Sequence, residues 1–477
     1  MFPEKLKEAL IALAEEEEVY VAGGPVRDAL LGRRSKDLDL VVPQEAARVS
    51  RHLAQRLGTK LVILDEEEGV FRLPLEEDFF LDISRFRKNA TTIDEDLKAR
   101  DFTINALAVE LKTFLTRKAP LWPIIDPTGG LKDLEKRLIR AISRANLLDD
   151  PLRLLRAYRL AAELAFVIEA DTRQQIRALA PEINKVARER VGFEIRLLFE
   201  NPCGLIVSLM AEDKLLFEIW PELKEAEGVA QPTFHHLDVL GHLLLSLEMA
   251  DLVLENPLRY FPSPTGENPF SSSLKTGEAR SVIRLAALFH DVGKPHTFAL
   301  RHRITFYEHD RVGAEIFTRI GHRLCFSKKF IKQVAILIKN HMRPFHLLRE
   351  FRAGRLSKRA MRRLLKDCPD YPALFVVAMA DSLASAGPDK EEGLEAELAS
   401  LFWEIHRFHE ETLSVQEKER LVTGRDLIEL FGLEPGPIFK ELLEAVEEAR
   451  VEGYLKTREE ALSFLAELIR KKFAQNP

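Results

Sequence analysis

The chain has 477 residues, of which 46% are hydrophobic and 31% are charged, and its formal net charge is −6. This composition excludes a disordered chain and a uniformly basic nucleic-acid coat, and the length predicts two to four domains. The three cysteines have no zinc-binding spacing, and the acidic amphipathic N-terminus is not a signal peptide. We therefore expect a cytoplasmic protein with no membrane segment, and the composition leaves its oligomeric state open.

Residues 19–34 predict a strand, a glycine turn and a short helix. The turn is Gly23-Gly24, where the backbone can bend sharply and come close to a ligand. The helix that follows presents free backbone N–H groups at its start, and these favour phosphate. Arg27 lies near the same end, where a guanidinium pairs well with phosphate oxygens.

The next predicted strand, residues 36–42, carries two carboxylates one residue apart. Because side chains alternate along a strand, Asp37 and Asp39 point to the same face. Two carboxylates on one face repel each other unless a cation lies between them, and Mg²⁺ prefers such oxygen ligands. The alternative is a surface strand with two solvated acids, which need no partner.

GGxVRDxLLG followed directly by DxD resembles the class II nucleotidyltransferases. These include bacterial tRNA CCA-adding enzymes, their CC-adding and A-adding relatives, and bacterial poly(A) polymerase. The resemblance implies a polymerase-β-like α/β head in residues 1–140, with Asp37 and Asp39 as catalytic Mg²⁺ ligands. It also implies a third catalytic carboxylate, Asp82 in FFLDIS, for which a strand-end acid is the alternative.

Residues 94–108 are similar to the RRDFTINA motif of the same family. By resemblance, Arg100, Asp101 and Asn105 contact the triphosphate, the sugar and the joint after the sheet; Ala99 replaces the first arginine of the motif. The alternative to nucleotide binding is an ordinary helix N-terminus with an aspartate near its start. Between Asp82 and this motif the chain lacks the long flexible segment and arginine-rich turn of CCA-adding enzymes. In the family, that loss is associated with enzymes that add CC but not the final A.

Residues 146–165 have apolar residues at helical spacing, inside a helical neck and body at 141–225. Asp149 can serve as the N-cap of the predicted helix, with Pro151 in its first turn. Asp150 and Arg153 are three apart on one helix face and match the family's EDxxR motif. A carboxylate accepts from an exocyclic amine and a guanidinium donates to the ring, so this pair would select CTP and ATP over UTP and GTP. A simple surface ion pair is the alternative.

Further charged residues follow on the same helix and on a later one. Arg156 and Arg159 continue the basic face, from which they could reach triphosphate or RNA backbone. Arg190 and Glu194 match the family's ERxxxE motif. We expect these two to brace the helix that reads the base.

A second set of residues resembles the HD phosphohydrolase superfamily and defines a predicted all-α HD domain at 226–400. The matching metal-ligand positions are His242, His290, Asp291, His309, His341 and Asp381. A single buried histidine is more often an ordinary core residue. That alternative does not explain six potential ligands in this chain order, with His290-Asp291 followed by VGKP. Imidazole and carboxylate ligands suit Mn, Fe, Ni or a similar divalent metal. The resemblance implies phosphoester hydrolysis, and a structural metal is the alternative.

Three further stretches complete the sequence. Residues 261–280 are rich in Pro, Gly and Ser and predict an exposed loop. Residues 343–366 are dense in Arg and Lys and predict either an RNA-facing surface or a solvated helix face. Residues 401–477 resemble the helical tail of HD-bearing family members, which would hold RNA.

The predicted fold is an α/β nucleotidyltransferase head, an all-α neck and body, and an all-α HD domain and tail. The predicted function is tRNA nucleotidyl transfer, adding CMP, AMP or both from CTP and ATP to the 3′ end. Bacterial poly(A) polymerase, acting on other RNA 3′ ends, is the first alternative. A phosphohydrolase whose head only binds RNA is the second, and a non-catalytic RNA-binding protein is the third.

Overall fold

The structure is a computed structural model, and it describes residues 3–35, 37–75, 79–87, 90–300, 302–413, 421–451 and 454–474. The chain forms two compact units. The first comprises residues 1–198 and 206–219, and the second comprises residues 199–205 and 220–477. The predicted boundaries at 140, 225 and 400 stay predictions. Among the described residues, no helix is both long and apolar enough to cross a bilayer.

A six-stranded mixed sheet forms the centre of the first unit. Its strands are β1 Tyr20–Ala22, β2 Asp37–Val42, β3 Val62–Asp65, β4 Val70–Pro74, β5 Phe80–Arg85 and β6 Ala108–Glu110. Their order is β3-β4-β5-β2-β1-β6, and β2 with β5 is the parallel pair. The acidic strand β2 therefore lies inside the sheet, between two neighbours.

The sequence of β2 explains both its burial and its exposed acids. Leu38 and Leu40 are buried on one face, while Asp37 and Asp39 are half-buried on the other, as the predicted alternation requires. Lys36, the first residue of the predicted strand, lies outside the described residues. The register places Asp39 opposite Asp82 in β5.

Helices cover this sheet and continue beyond it. In the first unit they are α1 Glu4–Glu16, α2 Gly24–Leu30, α3 Ala46–Leu57, α4 Ile93–Lys98, α5 Leu111–Thr116, α6 Gly130–Glu135, α7 Arg144–Asp149, α8 Leu152–Leu164, α9 Ala170–Leu179, α10 Arg188–Phe199, α11 Gly204–Glu212 and α12 Leu215–Ile219. A short parallel pair, β7 Leu138–Ile139 and β8 Val167–Ile168, joins the neck to α8.

The helix predicted to follow Asp149 is present, but its N-cap is Pro151 and a separate short helix precedes it. Helix α7 ends at Asp149, and Asp150 and Pro151 form the break before α8. Pro151 cannot donate a helical hydrogen bond, so a helix start is favoured there. The carboxylate of Asp150, not that of Asp149, accepts a hydrogen bond from the backbone N–H of Leu152 at 3.3 Å.

In the part that the structure describes, the second unit is helical apart from one hairpin, β9 Phe298–Leu300 and β10 Ile304–Phe306. Its helices are α13 Pro221–Lys224, α14 Val239–Glu255, α15 Pro257–Tyr260, α16 Phe270–Ser273, α17 Gly277–Phe289, α18 Lys294–Thr297, α19 His309–Arg323, α20 Lys328–Asn340, α21 Arg343–Arg352, α22 Lys358–Asp367, α23 Tyr371–Ala384, α24 Leu394–Phe408, α25 Gly424–Glu429, α26 Pro437–Val451 and α27 Arg458–Ala474.

The predicted exposed loop at 261–280 is also wrong in part. Phe261 and Phe270 are fully buried, and both rings lie within 5.1 Å, centroid to centroid, of Phe402. Helix α17 already begins at Gly277. Two aromatic side chains therefore anchor a stretch whose polar composition alone predicts solvent exposure.

Candidate active site and metal centre

The two carboxylates of β2 form the centre of the candidate active site. Burial, and then the charge of Asp82, raise the pKa of Asp37. The same two causes raise the pKa of Asp39 to about 6. Carboxylates held together in a buried place disfavour their own charge, and a divalent cation relieves that cost. The donor set therefore fits a hard divalent ion.

The third predicted carboxylate is already engaged by an arginine. Both oxygens of Asp82 accept hydrogen bonds from Arg72 of β4, from Nε and Nη2, at 2.7 Å each. The guanidinium also lies over the ring of Phe80, 4.8 Å from its centroid. Asp82 lies beside Asp39 as the sequence predicts, but its charge is paired within the sheet.

The glycine turn faces the same carboxylates. Gly23 has a φ of 82°, which favours glycine, and a Cβ added there would lie 2.8 Å from Nη1 of Arg100 and 3.6 Å from Oδ2 of Asp39. Arg100 is held in turn by Asp96, which accepts from its Nε and Nη2 at 3.1 Å. The predicted phosphate turn, the arginine of RDFTINA and the metal carboxylate thus meet at one point.

The other residues of RDFTINA are buried and hydrogen-bonded to each other. Asp101 accepts from the amide of Asn105 at 3.1 Å and from the backbone N–H of Phe102 at 2.8 Å. Although burial raises it, the guanidinium of Arg156 and these hydrogen bonds hold the pKa of Asp101 below its usual range. The oxygen of Asn105 accepts from Arg27 at 2.8 Å. Arg27 is only 5% exposed, so the structure places it inside the scaffold of the turn.

These contacts belong to a closed ring of polar side chains, which we call the Arg27–Glu163 ring. Its members, in order, are Arg27, Asn105, Asp101, Arg156, Glu194, Arg159 and Glu163. Arg159 donates to Glu194 at 2.7 Å and to Glu163 at 2.5 Å, and Glu163 lies 3.9 Å from Arg27. The ring ties the helix after the glycine turn to α8 and α10.

The ring changes the interpretation of the basic face of α8. Asp101, Glu194 and Glu163 accept hydrogen bonds from Arg156 and Arg159 or pair with them. Contact of the two arginines with triphosphate or RNA stays a prediction. Glu194 braces α8 in the way its motif predicts. Glu163 lies in no motif and is missed from the sequence, since only the fold brings it to Arg27.

The predicted base-reading pair lies at the break before α8. Asp150 is not on the helix, so the expected common helix face is wrong, and its carboxylate pairs with Arg190 at 2.9 Å. Nη1 of Arg153 donates to the carbonyl oxygens of Ala99, Arg100 and Asn146 at 3.2, 3.3 and 3.0 Å. Its buried Nε has no hydrogen-bond partner among the described atoms. A donor and an acceptor thus remain for a base edge.

The second unit gathers the six HD residues in one buried cluster. Nε2 of His242 lies 3.3 Å from Nε2 of His290 and 3.0 Å from Asp381. Nε2 of His309 lies 3.2 Å from both Asp291 and Nε2 of His341. Two groups, His242-His290-Asp381 and His290-Asp291-His341, have ligand atoms close enough to share an ion.

The outer ring nitrogens fix how these histidines point. Nδ1 of His290, His309 and His341 lies 2.7–2.8 Å from a backbone carbonyl oxygen, which leaves each Nε2 for the cluster. Gly293 makes the arrangement possible, because a Cβ there would clash with the backbone of His309. This explains the glycine of HDVGKP.

The electrostatics of this cluster also fit a cation. Burial alone would lower the pKa of His290, but Asp291 and Asp381 raise it to about 10. Although burial raises it, Lys294, 2.5 Å away, and the histidines hold the pKa of Asp291 well below its usual range. Buried carboxylates surrounded by imidazole Nε2 atoms form a donor set suited to divalent transition metals.

A cavity of about 450 Å³ opens onto this cluster. Asp291, His309 and Asp381 lie on its wall. The remaining lining includes aromatic and basic side chains, among them Phe234, Phe306, Tyr307, Phe345, Lys294 and Arg349. The cavity can therefore accept an anion that also carries apolar surface.

The basic stretch 343–366 lies on α21 and α22, and acids already pair with several of its charges. Arg343 pairs with Asp367 at 2.8 Å, and Lys366 pairs with Glu444 of α26 at 2.7 Å. Arg352 pairs with Glu391 at 2.5 Å. These pairs reduce the positive charge that the predicted RNA-facing surface could offer.

Comparison with known proteins agrees with this arrangement. The family model of the poly A polymerase head domain matches residues 19–140, and the HD domain model matches residues 244–386. An A-adding tRNA nucleotidyltransferase of Deinococcus radiodurans is 34% identical, over 93% of this chain and 94% of its own. The chain belongs to the tRNA nucleotidyltransferase family.

Other relatives support this family assignment. A CC-adding tRNA nucleotidyltransferase of Thermus thermophilus is 33% identical over 94% of this chain and 93% of its own. A solved CCA-adding enzyme with CTP has a TM-score of 0.60 at 21% identity, covering 98% of this chain and 96% of that one. The Thermotoga maritima CCA-adding enzyme complexed with tRNA has a TM-score of 0.57 at 21% identity, covering 98% and 96%. These likenesses confirm the predicted fold class.

Membership of the tRNA nucleotidyltransferase family also confirms the resemblance found in the sequence. A nucleotidyltransferase head followed by an HD domain implies that the protein depends on divalent metals. Among the residues that surround the head site, Arg72 was missed from the sequence. Only the register of β4 against β5, which no local motif encodes, brings it to Asp82.

Proposed function

We propose that this tRNA nucleotidyltransferase adds cytidylate from CTP to the 3′ end of tRNA and does not add the terminal adenylate. Sequence identity does not distinguish A addition from CC addition, because an A-adding and a CC-adding relative are 34% and 33% identical to this chain. The observation that carries the proposal is the short connection between β5 and α4.

That connection spans only residues 86–92, of which 88 and 89 lie outside the described part. Phe86 and Ile93, at its two ends, are 4% and 7% exposed and belong to one hydrophobic cluster, against which Ala90 packs. A connection anchored at both ends has no free length to act as a long flexible segment. In the family, the loss of that segment goes with CC addition.

The residues of the head have separate tasks in the proposed reaction. Asp37 and Asp39 hold the divalent metal, which we propose is Mg²⁺ and which supplies charge stabilisation at the reacting phosphate. Gly23-Gly24 and Arg100 hold the triphosphate. Asp150 accepts from the exocyclic amine of cytosine, and Arg153 donates to its ring.

These tasks serve one displacement at the α-phosphorus of CTP. The 3′-oxygen of the RNA forms a bond to that phosphorus, and the bond to the bridging oxygen of the β-phosphate breaks. Pyrophosphate leaves, and the hydroxyl proton goes to solvent. Helix α8 and the glycine turn after β1 must keep their relative positions during the transfer. The Arg27–Glu163 ring holds them there.

The experiment compares three acceptors: tRNA that lacks its CCA end, tRNA that ends in CC, and an unrelated RNA. Each receives CTP and ATP, singly and together. We expect two cytidylates on the first acceptor and nothing on the others. Adenylate added to the CC-ending tRNA would contradict CC addition, and long adenylate tails on unrelated RNA would indicate a poly(A) polymerase.

A second candidate function is phosphoester hydrolysis at the HD cluster, favoured by the cavity that opens onto Asp291 and His309. A metal pair held by the six HD residues supplies Lewis acidity for such hydrolysis, and Mn, Fe or Ni fits the ligands. Lys294 is placed to hold an anion.

Release of phosphate from nitrophenyl phosphates by the Mn²⁺-loaded protein tests this activity. It should survive Asp37→Ala and be lost in Asp291→Asn; loss in both variants would contradict two separate sites.

A further inference from the structure

Arg72 lies beside the head carboxylates and belongs to no sequence motif. It lies on β4, opposite Asp82 in the register, while Asp82 lies opposite Asp39 across the parallel pair β5–β2. Three charged side chains therefore follow one another on three neighbouring strands. The side chain of Arg72 is 34% exposed and that of Asp82 is 18% exposed.

The contact between the two is tightly defined. Nε and Nη2 of Arg72 each donate a hydrogen bond to Asp82 at 2.7 Å. The guanidinium carbon also lies 4.8 Å from the ring centroid of Phe80. Parallel bidentate hydrogen bonds fix the plane of a carboxylate as well as its position. Each carboxylate oxygen keeps one further lone-pair direction that the arginine does not occupy.

Two other arginines near the site pair with a different carboxylate. Arg100 and Arg87 both approach Asp96, at 3.1 and 3.4 Å. Arg72 is therefore the cation that balances Asp82 directly. Arg72 partly offsets the charge of Asp82 at Asp37, although Asp82 still raises the pKa of Asp37 and Asp39. Asp37 and Asp39 are therefore the carboxylates best placed to attract a metal.

We propose that Arg72 is a positioning residue of the transfer reaction, which neutralises Asp82 and aims it so that only Asp37 and Asp39 bind the metal. In this arrangement the free lone pairs of Asp82 accept a hydrogen bond from the incoming 3′-hydroxyl. The inference rests on the proposed function of the head. It differs from the expectation that Asp82 is a third metal ligand, because an arginine occupies that carboxylate.

The test is calorimetric titration of the full-length protein with Mn²⁺. Every variant is made in an Asp291→Asn/Asp381→Asn background, which removes one carboxylate from each of the two HD ligand groups. Arg72→Gln removes the balancing charge, and we expect Mn²⁺ to bind the head about tenfold more tightly. Arg72→Lys keeps the charge but loses the bidentate geometry. Its affinity should stay within about twofold, while the turnover with CTP falls about tenfold.

The double variant Arg72→Gln/Asp82→Asn removes both charges. It distinguishes an Asp82 neutralised by Arg72 from an Asp82 that is a third metal ligand. If the pair is neutral, Mn²⁺ affinity stays within about twofold of the parent; if Asp82 is a ligand, affinity falls about tenfold or more. Unchanged or weaker affinity in Arg72→Gln would overturn the inference, and so would weak binding by the double variant. Tighter binding cannot arise from partial unfolding.

Failure of the proposed function gives a different result. In that case the parent protein would show no Mn²⁺ site that Asp37→Asn abolishes. A site that Asp37→Asn abolishes, combined with unchanged affinity in Arg72→Gln, would refute the role of Arg72 and leave the transferase proposal standing.

Discussion

Asp150 pairs with Arg190 of α10, 2.9 Å away, and not with Arg153 three residues further on. The chain turns at Asp150 and Pro151, so the carboxylate leaves the axis of α8 and reaches across to α10. Arg190 therefore holds the acceptor of the proposed base-reading pair in place. Arg153, whose Nη1 is fixed by three carbonyl oxygens, supplies the donor independently.

Asp150→Asn tests this acceptor, because an amide can donate to a uracil carbonyl where the carboxylate cannot. We expect the ratio of kcat/KM for CTP over UTP to fall by about tenfold to a hundredfold. Steady-state incorporation into tRNA that lacks its CCA end gives both values. Asp171→Asn, on exposed α9, is the matched control and should leave the ratio unchanged; an unaltered ratio in Asp150→Asn would remove Asp150 from base selection.

Gly23→Ala tests the phosphate turn. The new Cβ would lie 2.8 Å from Nη1 of Arg100 and displace it from the turn, so transfer should fall at least about tenfold. Gly32→Ala is a matched control, because its φ of 69° imposes similar backbone strain but its Cβ would meet no atom within 4 Å. Equal losses of activity in the two variants would show that strain, and not the contact with Arg100, is responsible.

Glu163→Gln tests the Arg27–Glu163 ring by removing the charge that Arg27 and Arg159 share. The turn and α8 should lose their common register, and the KM for CTP should rise by about threefold to thirtyfold. Glu182→Gln, which breaks an exposed pair with Lys185, should leave KM unchanged. A KM in Glu163→Gln equal to that of the control would mean that the ring does not position the substrate.

The pH dependence of metal binding tests the electrostatics of β2. Without metal, the raised pKa of Asp39, about 6, means that it binds a proton as the pH falls through that value. A cation must then displace this proton, so Mn²⁺ affinity at the head should fall about tenfold per pH unit below pH 6. Calorimetry from about pH 8 to about pH 5 in the Asp291→Asn/Asp381→Asn background measures it. A constant affinity over that range would contradict the shift.

Local patterns predict the parts of the head that local chemistry determines. The alternation of Asp37-Leu38-Asp39-Leu40 predicts the strand and its acidic face, and the structure has both. The order of the histidines predicts one cluster, which the helices of the second unit do assemble. Each of these features depends on residues close in sequence or on a motif whose spacing is itself informative.

The sequence does not predict ion pairs between residues that are far apart along the chain. Arg72 reaches Asp82 through strand register, and Glu163 reaches Arg27 through the packing of α8, so neither contact leaves a local pattern. The acids that pair with Arg156 and Arg159 also come from distant parts of the chain, apart from Glu163 on the same helix. Phe270 is a similar case, since its polar neighbours predict a loop while distant aromatic rings bury it.

Incorporation of labelled CTP into tRNA that lacks its CCA end, by the parent protein and by Asp39→Asn, tests whether the carboxylates of β2 catalyse transfer. We expect the parent to add two cytidylates and stop, and Asp39→Asn to add none while keeping its fold by circular dichroism. No incorporation by the parent, or equal incorporation by both proteins, would contradict the assignment of nucleotidyl transfer to the carboxylates of β2.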